Sequence, residues 1–454
     1  MQFKSRTNNN GLEVEFRGRW YPIVYEKDVW MSTPERTRVA IKDNLALAVT
    51  MHLPLVFGES EAVYHSGRPV LEPYFFMNFM RDIPSCTEVD GLDTAETTRK
   101  WFNTYYRFMD PVVVYPSSEP VRDPHRAIVG LSFGKDSLLT FAVADELGLD
   151  PEIVYVVEHS LTYEEKHKTA LAERFKKEFG KSLWKLEHET GLLRDYPHLG
   201  LPFSEFGWGL QTTEYALELI PFAYALGGKY LLFGNEHTTA ETYMSADKSG
   251  PWLVNPCYDQ THEWTVHIDQ ITQMFSGRSV RTGSLIEPLM DMMIQRTLAR
   301  RYPKYAKYQM SCFTETEAGK DYHWCHNCSI CAKMYLLCAG SGVDPQVIGL
   351  RQNMLNREHR RLFTLFGGRS ALTYANTPTA KDEQLFGFYC AALKGAKGEL
   401  VEDFKSSELF QEAKEREDEL FKKFVTVYEP ISVPAELKAQ VMSIYREELA
   451  SFEL

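Results

Sequence analysis

Residues 132–137 combine residue types that bind phosphate groups. They read Ser-Phe-Gly-Lys-Asp-Ser, after an apolar run and before a stretch of helical character. The glycine permits a tight turn, and consecutive N–H groups at the start of a helix point at an anion. The hydroxyls add donors, the lysine adds positive charge, and the aspartate could hold a magnesium ion; an ordinary capped turn is the alternative. The predicted phosphate-binding residues are Ser132, Phe133, Gly134, Lys135, Asp136 and Ser137.

Four of the eight cysteines fall within twenty residues and have the spacing of a metal site. They are Cys312, Cys325, Cys328 and Cys331. In a chain with no export signal, such a cluster indicates a metal rather than disulfides. Four thiolates can close a tetrahedral zinc site that contributes folding free energy. An iron–sulfur cluster and four buried free thiols are the alternatives. We predict a structural Zn²⁺ site.

A third group of polar residues follows the apolar run at 229–233. Asn235 could bind phosphate or substrate oxygens, Glu236 could hold Mg²⁺, and His237 could move a proton. The alternative is a capped turn without a ligand. If the preceding run is a strand of a doubly wound sheet, these residues lie beside the 132–137 loop.

Alternating strand and helix patterns surround these residues. Short apolar runs predict strands at 127–131, 153–157, 182–186 and 229–233. Helical patterns predict helices at 137–147, 163–179 and 212–226. Alternation at this spacing predicts an α/β fold, a doubly wound parallel sheet with helices on both faces. Ligands of such sheets bind at the carboxyl ends of the strands.

Changes of pattern divide the chain into three predicted regions. Residues 1–120 have short strands and a helix near Pro34, which predicts an accessory α+β domain. A segment rich in Pro, Ser and Asp then forms a linker. Residues 126–345 form the predicted catalytic domain with the zinc site, and residues 346–454 form a helical region. Two strongly charged segments, 400–424 and 434–452, predict two surface helices that cover the core.

Composition and charge limit the classes of function. The 454 residues are 44% hydrophobic and 25% charged, which is typical of a globular protein. The formal charge of −12 disfavours nonspecific binding to nucleic acid or membrane surfaces. The longest apolar stretch, 45–57, is short and interrupted, and the N-terminus has no apolar signal core. We therefore expect a soluble cytoplasmic protein with no membrane partner; the sequence leaves a homodimer open.

The 132–137 loop resembles the Ser-Gly-Gly-x-Asp-Ser loop of the ATP pyrophosphatases, the PP-loop superfamily, with Phe133 in place of the first glycine. The resemblance implies a PP-loop fold that binds ATP and cleaves it between the α and β phosphates. The loop would hold pyrophosphate while AMP is transferred to a substrate oxygen, with Lys135, Asp136 and Ser137 in catalysis. It also implies that the strand end at Glu158 and His159 contacts adenosine; a satisfied loop pair is the alternative.

The cysteine pattern, with Ser311 before Cys312, resembles that of 7-cyano-7-deazaguanine synthase, a PP-loop enzyme with structural zinc. This resemblance implies an AMP-forming ligase. A 7-deazaguanine-like carboxylate is activated as an acyl-adenylate, ammonia gives an amide, and a second activation gives a nitrile. The chain departs from the family at 255–259, where it reads Asn-Pro-Cys-Tyr-Asp instead of the family's Tyr-Pro-Asp-Cys segment.

Segments 234–237, 254–258 and 324–332 also resemble ATP-dependent epimerases that act on the L-glutamate of muropeptide precursors. That resemblance implies a glutamate-ended substrate and removal of an α-proton from the acyl-adenylate. Both resemblances cover about 126–360 and leave the N-terminal region as a plausible place for a larger substrate or a protein partner. A nucleotide-binding scaffold in a protein complex is the nonenzyme alternative. The sequence favours the amide- or nitrile-forming ligase.

Overall fold

The computed structural model describes residues 1–158, 162–312, 316–368 and 373–454. Two sheets are found in these ranges, one of ten strands and one of two. The strands are β1 (Gln2–Asn8), β2 (Gly11–Phe16), β3 (Arg19–Val24), β4 (Glu61–Gly67), β5 (Tyr105–Asp110), β6 (Arg126–Gly130), β7 (Glu152–Val157), β8 (Leu183–His188), β9 (Gly228–Leu232), β10 (Tyr243–Asp247), β11 (Gly250–Val254) and β12 (Arg281–Gly283).

Helices cover both faces of the large sheet and make up most of the C-terminal region. The helices are α1 (Lys27–Ser32), α2 (Glu35–Ala48), α3 (Leu53–Phe57), α4 (Glu72–Asp90), α5 (Thr94–Phe102), α6 (Lys135–Glu146), α7 (Thr162–Phe179), α8 (Gln211–Leu226), α9 (His262–Phe275), α10 (Asp291–Arg301), α11 (Pro303–Ala306), α12 (Ser329–Ser341), α13 (Pro378–Leu393), α14 (Glu399–Lys405), α15 (Glu408–Glu415), α16 (Glu417–Phe424) and α17 (Lys438–Ala450). Short 3₁₀ turns connect several of them. The prediction of an α/β protein with a helical C-terminal region is confirmed.

The large sheet has the order β12-β9-β6-β7-β8-β3-β2-β1-β4-β5. All neighbours from β12 to β8 are parallel. Among these five strands, the first in the chain, β6, is central, with the second and third on one side and the fourth and fifth on the other. This is the doubly wound order, and the switch point lies between β6 and β9. The loops that follow these two strands therefore open into the same crevice.

Alternate residues of the central strands enter two different cores. On β6, Ala127 and Val129 join a core with α6, α10, α12 and α13, and Ile128 joins the other core with α8 and α9. The β9 strand does the same, with Leu232 in the first core and Leu231 in the second. A strand buried on both faces reads as a continuous apolar run, which is why these strands were predictable.

The N-terminal strands extend the same sheet. β3 pairs antiparallel with β8 through Ile23 opposite His188 and Val24 opposite Glu187. The second core also runs across this junction, from Phe3 to Val280. The stretch Glu35–Phe57 has the length and composition of a membrane-crossing helix, but 78% of its most apolar window is buried in the fold. Residues 111–125 contain neither helix nor strand.

The expected single helix over 400–424 is wrong. The chain forms three helices there, α14, α15 and α16. At the first break, the hydroxyls of Ser406 and Ser407 donate to the carbonyls of Glu402 and Phe404, so side chains compete with the helical backbone pattern. The segment is more than a solvated surface, because Phe404, Leu420 and Phe424 are fully buried.

Candidate functional site

The predicted phosphate loop connects β6 to α6 at the switch point. Phe133 has a φ of 59°, in the left-handed region that few side chains other than glycine adopt. Its ring is fully buried and packs edge-on against Phe175, with the ring centroids 6.0 Å apart. Burial of this ring anchors the loop and compensates for the backbone conformation. The bulky residue at a glycine position is therefore a packing feature of the loop.

Hydroxyl groups close the loop on itself. The Ser132 and Ser137 Oγ atoms are 3.2 Å apart, and the Ser137 hydroxyl donates to the Gly134 carbonyl. The backbone N–H of Ser132 donates to Ser137 Oγ. Gly134 is the N-cap residue of α6. The first N–H groups of α6 therefore face the carboxyl edge of the sheet, as an anion site requires.

The loop after β9 lies directly against the phosphate loop. A Cβ atom on Gly234 would be 2.7 Å from the Asp136 Cβ and 3.2 Å from the Ser137 nitrogen. Only glycine allows the two loops to approach this closely. The approach brings Glu236 to Lys135, with 3.1 Å between Oε2 and Nζ.

Three carboxylates surround the buried ammonium group of Lys135. Its Nζ contacts Asp136, Glu236 and Asp291. The oxygens that these three acids offer lie within 4.8 Å of one another. Carboxylate oxygens are the donors that Mg²⁺ prefers, so the donor set fits a divalent cation. The residues come from α6, the β9 loop and the start of α10.

A second lysine and a fourth carboxylate hold Asp291 from the other side. Lys333 Nζ contacts Asp291 and lies 3.4 Å from Glu383 Oε2. Glu383 also accepts the backbone N–H of Met292 at 3.1 Å, in the first turn of α10. Asp291 therefore bridges two ammonium groups, one from the phosphate loop and one from α12.

The cluster has two more carboxylates than ammonium groups, and the pKa directions reflect this surplus. Burial raises the pKa of Glu236 well above its usual range and that of Glu383 to about 7. Burial would also raise the pKa of Asp291, but Lys135 and Lys333 lower it below the usual range. The excess negative charge is thus relieved by protons, and a bound cation would relieve it in the same way.

The four clustered cysteines converge as a metal site requires. The Sγ atoms of Cys312 and Cys328, and of Cys325 and Cys331, are 3.8 Å apart. Cys328 and Cys331 are separated by 3.5 Å. A Zn–S distance of about 2.3 Å in a tetrahedron places the sulfurs about 3.8 Å apart. The four cysteines could therefore hold a metal ion such as zinc.

The cysteine site fixes the start of α12. Cys328 is the N-cap residue of this helix and accepts the backbone N–H of Cys331 at 3.4 Å. The Asn327 N–H donates to Cys325 Sγ in the same turn. Such N–H···S bonds are the outer contacts that orient thiolate ligands. Two residues after Cys331, the helix supplies Lys333 to the carboxylate cluster.

The same cysteine site contacts the phosphate loop. The segment before Cys312 runs beside the loop, and the Met310 N–H donates to the Phe133 carbonyl at 2.7 Å. The Lys135 N–H lies 3.4 Å from the Ser311 Oγ. A metal bound by the cysteines would thus stabilise both the loop backbone and the helix that carries Lys333.

Glu158 lies at the end of β7 in a buried ion network. Its Oε1 accepts from Arg194 at 2.9 Å and from the Tyr215 hydroxyl at 2.6 Å. Burial would raise its pKa, but Arg194 and His188 lower it to about 2. Its carboxylate is already bonded, so the satisfied-loop alternative has direct structural support. His159, its neighbour in the prediction, lies outside the described residues.

Asn235 and His237 have different surroundings. The Asn235 amide donates to the Thr265 hydroxyl at 2.9 Å and is buried, so it ties the loop to α9. The His237 ring stacks on Tyr428 with centroids 3.6 Å apart. Burial lowers the pKa of His237, and its Nδ1 has no hydrogen-bond partner among the described residues. A neutral imidazole with a free nitrogen can accept a proton.

Sequence reasoning missed three members of the carboxylate cluster. Asp291 follows β12, a three-residue strand too short to predict from an apolar run. The sequence feature that could have identified Asp291 is its position as an acidic residue after the fifth strand of a doubly wound sheet. Lys333 could have been identified from its position two residues after Cys331. Glu383 had no such feature, because only tertiary packing brings α13 to this edge.

The arrangement brings together the start of helix α6, three carboxylates that could hold a cation and four cysteines that could hold a metal ion. These elements can bind a phosphate ester together with a divalent cation. Comparison of the chain with models of protein families and with curated protein sequences finds no match.

Proposed function

We propose that this protein binds ATP at residues 132–137 and transfers AMP to a substrate carboxylate, with release of pyrophosphate. One observation carries the proposal. The phosphate loop and the carboxylates of Asp136, Glu236 and Asp291 converge on Lys135 at the switch point of the sheet. An anion site alone would suit many ligands, but an anion site beside a cation site favours a nucleotide polyphosphate.

The chain's own groups have distinct roles in this proposal. The N–H groups at the start of α6 and the hydroxyls of Ser132 and Ser137 bind the departing pyrophosphate. Mg²⁺, held by the three carboxylates, would neutralise charge on the phosphates. If a cation took the place of the Lys135 ammonium group among those carboxylates, Lys135 would be free to contact a phosphate oxygen. The cysteine site holds Zn²⁺ in a structural role.

The second half-reaction is attack by a nitrogen nucleophile on the acyl-adenylate. The C–N bond forms as the bond between the acyl carbon and the AMP oxygen breaks, which gives an amide. A second round of activation of the amide oxygen and loss of AMP would give a nitrile. The resemblance of the cysteine pattern to 7-cyano-7-deazaguanine synthase supports a 7-deazaguanine-like carboxylate. The ligase is therefore the first candidate.

An epimerase that acts through the same acyl-adenylate is the second candidate. It needs a base that removes the α-proton of an activated glutamate. His237 follows Glu236 directly, its pKa is lowered by burial, and its Nδ1 has no partner among the described residues. These properties suit a proton acceptor at neutral pH.

Nucleotide product analysis tests the proposal. The protein is incubated with α-labelled ATP, Mg²⁺ and 7-carboxy-7-deazaguanine, a glutamate-ended peptide or no carboxylate. We expect AMP with one carboxylate and not without it. Formation of ADP, or ATP binding without any AMP, would overturn the proposal, the latter in favour of a nucleotide-binding scaffold.

Matched variants assign the activity to the site. Asp136→Asn and Asp291→Asn should each lower AMP formation at least about 100-fold, since each removes charge that holds the cation. Asp145→Asn is the control, because Asp145 lies on the same helix, α6, and accepts a hydrogen bond from the Tyr305 hydroxyl at 2.6 Å, outside the carboxylate cluster. Its rate should stay near that of the wild type. Equal losses in all three variants would contradict the assignment.

A further inference from the structure

The strand β12 forms one edge of the large sheet, and the fold protects it. This strand is three residues long. The Gly283 carbonyl accepts from the Phe233 N–H on the side of β9, so the N–H of Thr282 points the other way. That N–H donates to the Asp269 carboxylate on α9 at 2.7 Å. A short edge whose outward donor is already bonded does not pair readily with another chain.

The strand β5 forms the opposite edge and has an open side. It pairs with β4 alone in the ranges that the structure describes. The Tyr105 N–H donates to the Ser60 carbonyl at 2.8 Å, so Tyr105 and every second residue after it face β4. The N–H and C=O groups of Tyr106 and Phe108 therefore point away from the sheet. Unpaired backbone groups in a row are a template for a further strand.

Large apolar side chains accompany this open edge. Five of them lie within residues 102–115, and each is more than half exposed: Phe102, Tyr105, Met109, Val112 and Tyr115. Natural edges are usually blunted by lysine or proline, and β5 contains neither. Its one basic residue, Arg107, lies 3.2 Å from Glu61 of β4, so its charge is neutralised within the sheet. An exposed apolar patch beside an unpaired edge indicates an interaction surface.

The charges at the two ends of β5 have opposite signs. Arg99 and Lys100 lie in the last turn of α5, directly before the strand, and Asp110 is its last residue. A second copy in antiparallel orientation brings the Asp110 end of one chain to the basic end of the other. Parallel pairing would instead bring like charges together. The edge is therefore complementary in charge to its own reversed copy.

We propose that β5 pairs antiparallel with β5 of a second copy of this chain, about a two-fold axis. The pairing gives hydrogen bonds to the outward groups of Tyr106 and Phe108 and covers Tyr105 and Met109. Because the β12 edge is protected, each large sheet has one open edge, and assembly ends at two copies. The two ten-stranded sheets then form one continuous sheet. This interface does not depend on the proposed function.

Sedimentation velocity of the full chain tests the assembly. At concentrations up to about 100 µM, which cover weak interfaces, we expect a species of twice 52.3 kDa. A monomer throughout this range would overturn the proposal and leave the edge to a strand of a different protein. Assemblies larger than two copies would overturn the two-fold closure.

A lysine on the edge tests its location. Met109→Lys should raise the Kd of the dimer at least about tenfold, because the two-fold axis brings two added charges to one interface. Met109 is exposed, so the fold should tolerate the change; Tyr105→Lys serves if it does not. Met244→Lys, at an exposed position of the two-stranded sheet, is the control and should dimerise like the wild type. An unchanged Kd in Met109→Lys would overturn the proposal.

An exchange of charges tests the antiparallel orientation. Asp110→Lys and Lys100→Glu should each raise the Kd, because each places like charges at the junction of the two chains. The double variant restores opposite charges and should bind more tightly than either single variant. A double variant that binds no more tightly than the single variants would overturn the antiparallel arrangement.

Hydrogen exchange tests the backbone pairing itself. The peptide that spans residues 103–111 contains the outward N–H groups of Tyr106 and Phe108. Exchange in this peptide should be slower in the dimer than in the wild type diluted below its Kd, and slower than in Met109→Lys. A dimer whose 103–111 peptide exchanges as fast as that of the monomer would overturn β5 as the interface.

Discussion

At the residue scale, the site depends on contacts that leave no spare volume. Gly234 and Asp136 touch where the two loops of the switch point meet. Lys135 is enclosed by three acids, so a shift of either loop changes its surroundings. Interiors are packed closely enough that one added methyl group is felt.

Gly234→Ala should lower both stability and AMP formation. The new Cβ would meet Asp136 at 2.7 Å and backbone at 3.0 Å, so the loops must separate. We expect a loss of about 1–3 kcal/mol in the free energy of unfolding. Gly130→Ala is the control, since its Cβ would meet only Leu219, at 3.9 Å. Urea unfolding measures the stability of the two variants, and AMP assays measure their activity. Equal effects of the two substitutions would contradict the close-contact argument.

Lys333→Met should destabilise the fold more than an ordinary lysine substitution. It would leave Asp291 and Glu383 buried with one fewer counterion, a change that costs about 3–5 kcal/mol when a buried pair is broken. Lys397→Met, at an exposed position, should cost less than about 0.5 kcal/mol. Urea unfolding measures the difference. A similar stability of the two variants would show that Lys333 does not neutralise the cluster.

At the element scale, the cysteine site determines where α12 begins and therefore where its side chains lie. Cys328 caps the helix, and Cys331 lies in its first turn. Lys333 follows on the same helix and reaches α10 through Asp291. The cysteine site and the carboxylate cluster are thus joined by less than two turns of helix.

Cys328→Ser should lose the metal and destabilise the fold. A structural zinc site contributes folding free energy, and three remaining thiolates close no tetrahedron. Metal analysis and thermal unfolding measure the two effects. Cys338→Ala, on the same helix and fully buried, is the control and should retain metal. A Cys328→Ser protein with wild-type metal content and Tm would refute the structural-zinc proposal.

An element could be predicted where a short stretch of the sequence carries the pattern that specifies it. The strands from β6 to β9 were predictable because each is an apolar run buried on both faces. The breaks after α14 and α15 were not, since charged helical periodicity continues through them. Residues 132–137, Glu236 and the four cysteines could be singled out from the sequence because each belongs to a local pattern of polar residues or of cysteine spacing. Glu383 could not, because it acquires its partners only through tertiary packing.

At the scale of the whole molecule, the N-terminal strands and the parallel strands form one sheet joined at β3 and β8. His188 lies at this junction, opposite Ile23. Its Nδ1 lies 2.7 Å from Glu218 Oε1, and both side chains are fully buried. The junction between the two halves of the sheet therefore contains a buried ion pair with a titratable member.

The charge of His188 should make the stability of the molecule depend on pH. Burial alone would lower its pKa, but Glu218 and Glu158 outweigh burial and raise it to about 9. Because the folded pKa exceeds the unfolded value of about 6.5, the stabilisation is complete below pH 6.5 and is lost as the pH rises through 9. A shift of this size corresponds to up to about 3 kcal/mol.

His188→Gln isolates this contribution, since glutamine can still donate to Glu218 but does not titrate. The free energy of unfolding in urea should be measured across this pH range for both proteins. The free energy of unfolding of the wild type should exceed that of His188→Gln most at the acidic end of the range. This difference should shrink by up to about 3 kcal/mol toward the alkaline end. His198→Gln, at an exposed position, controls for the loss of a histidine. A constant difference between wild type and His188→Gln would mean that the junction is held by packing and strand pairing, with no charge on the imidazole.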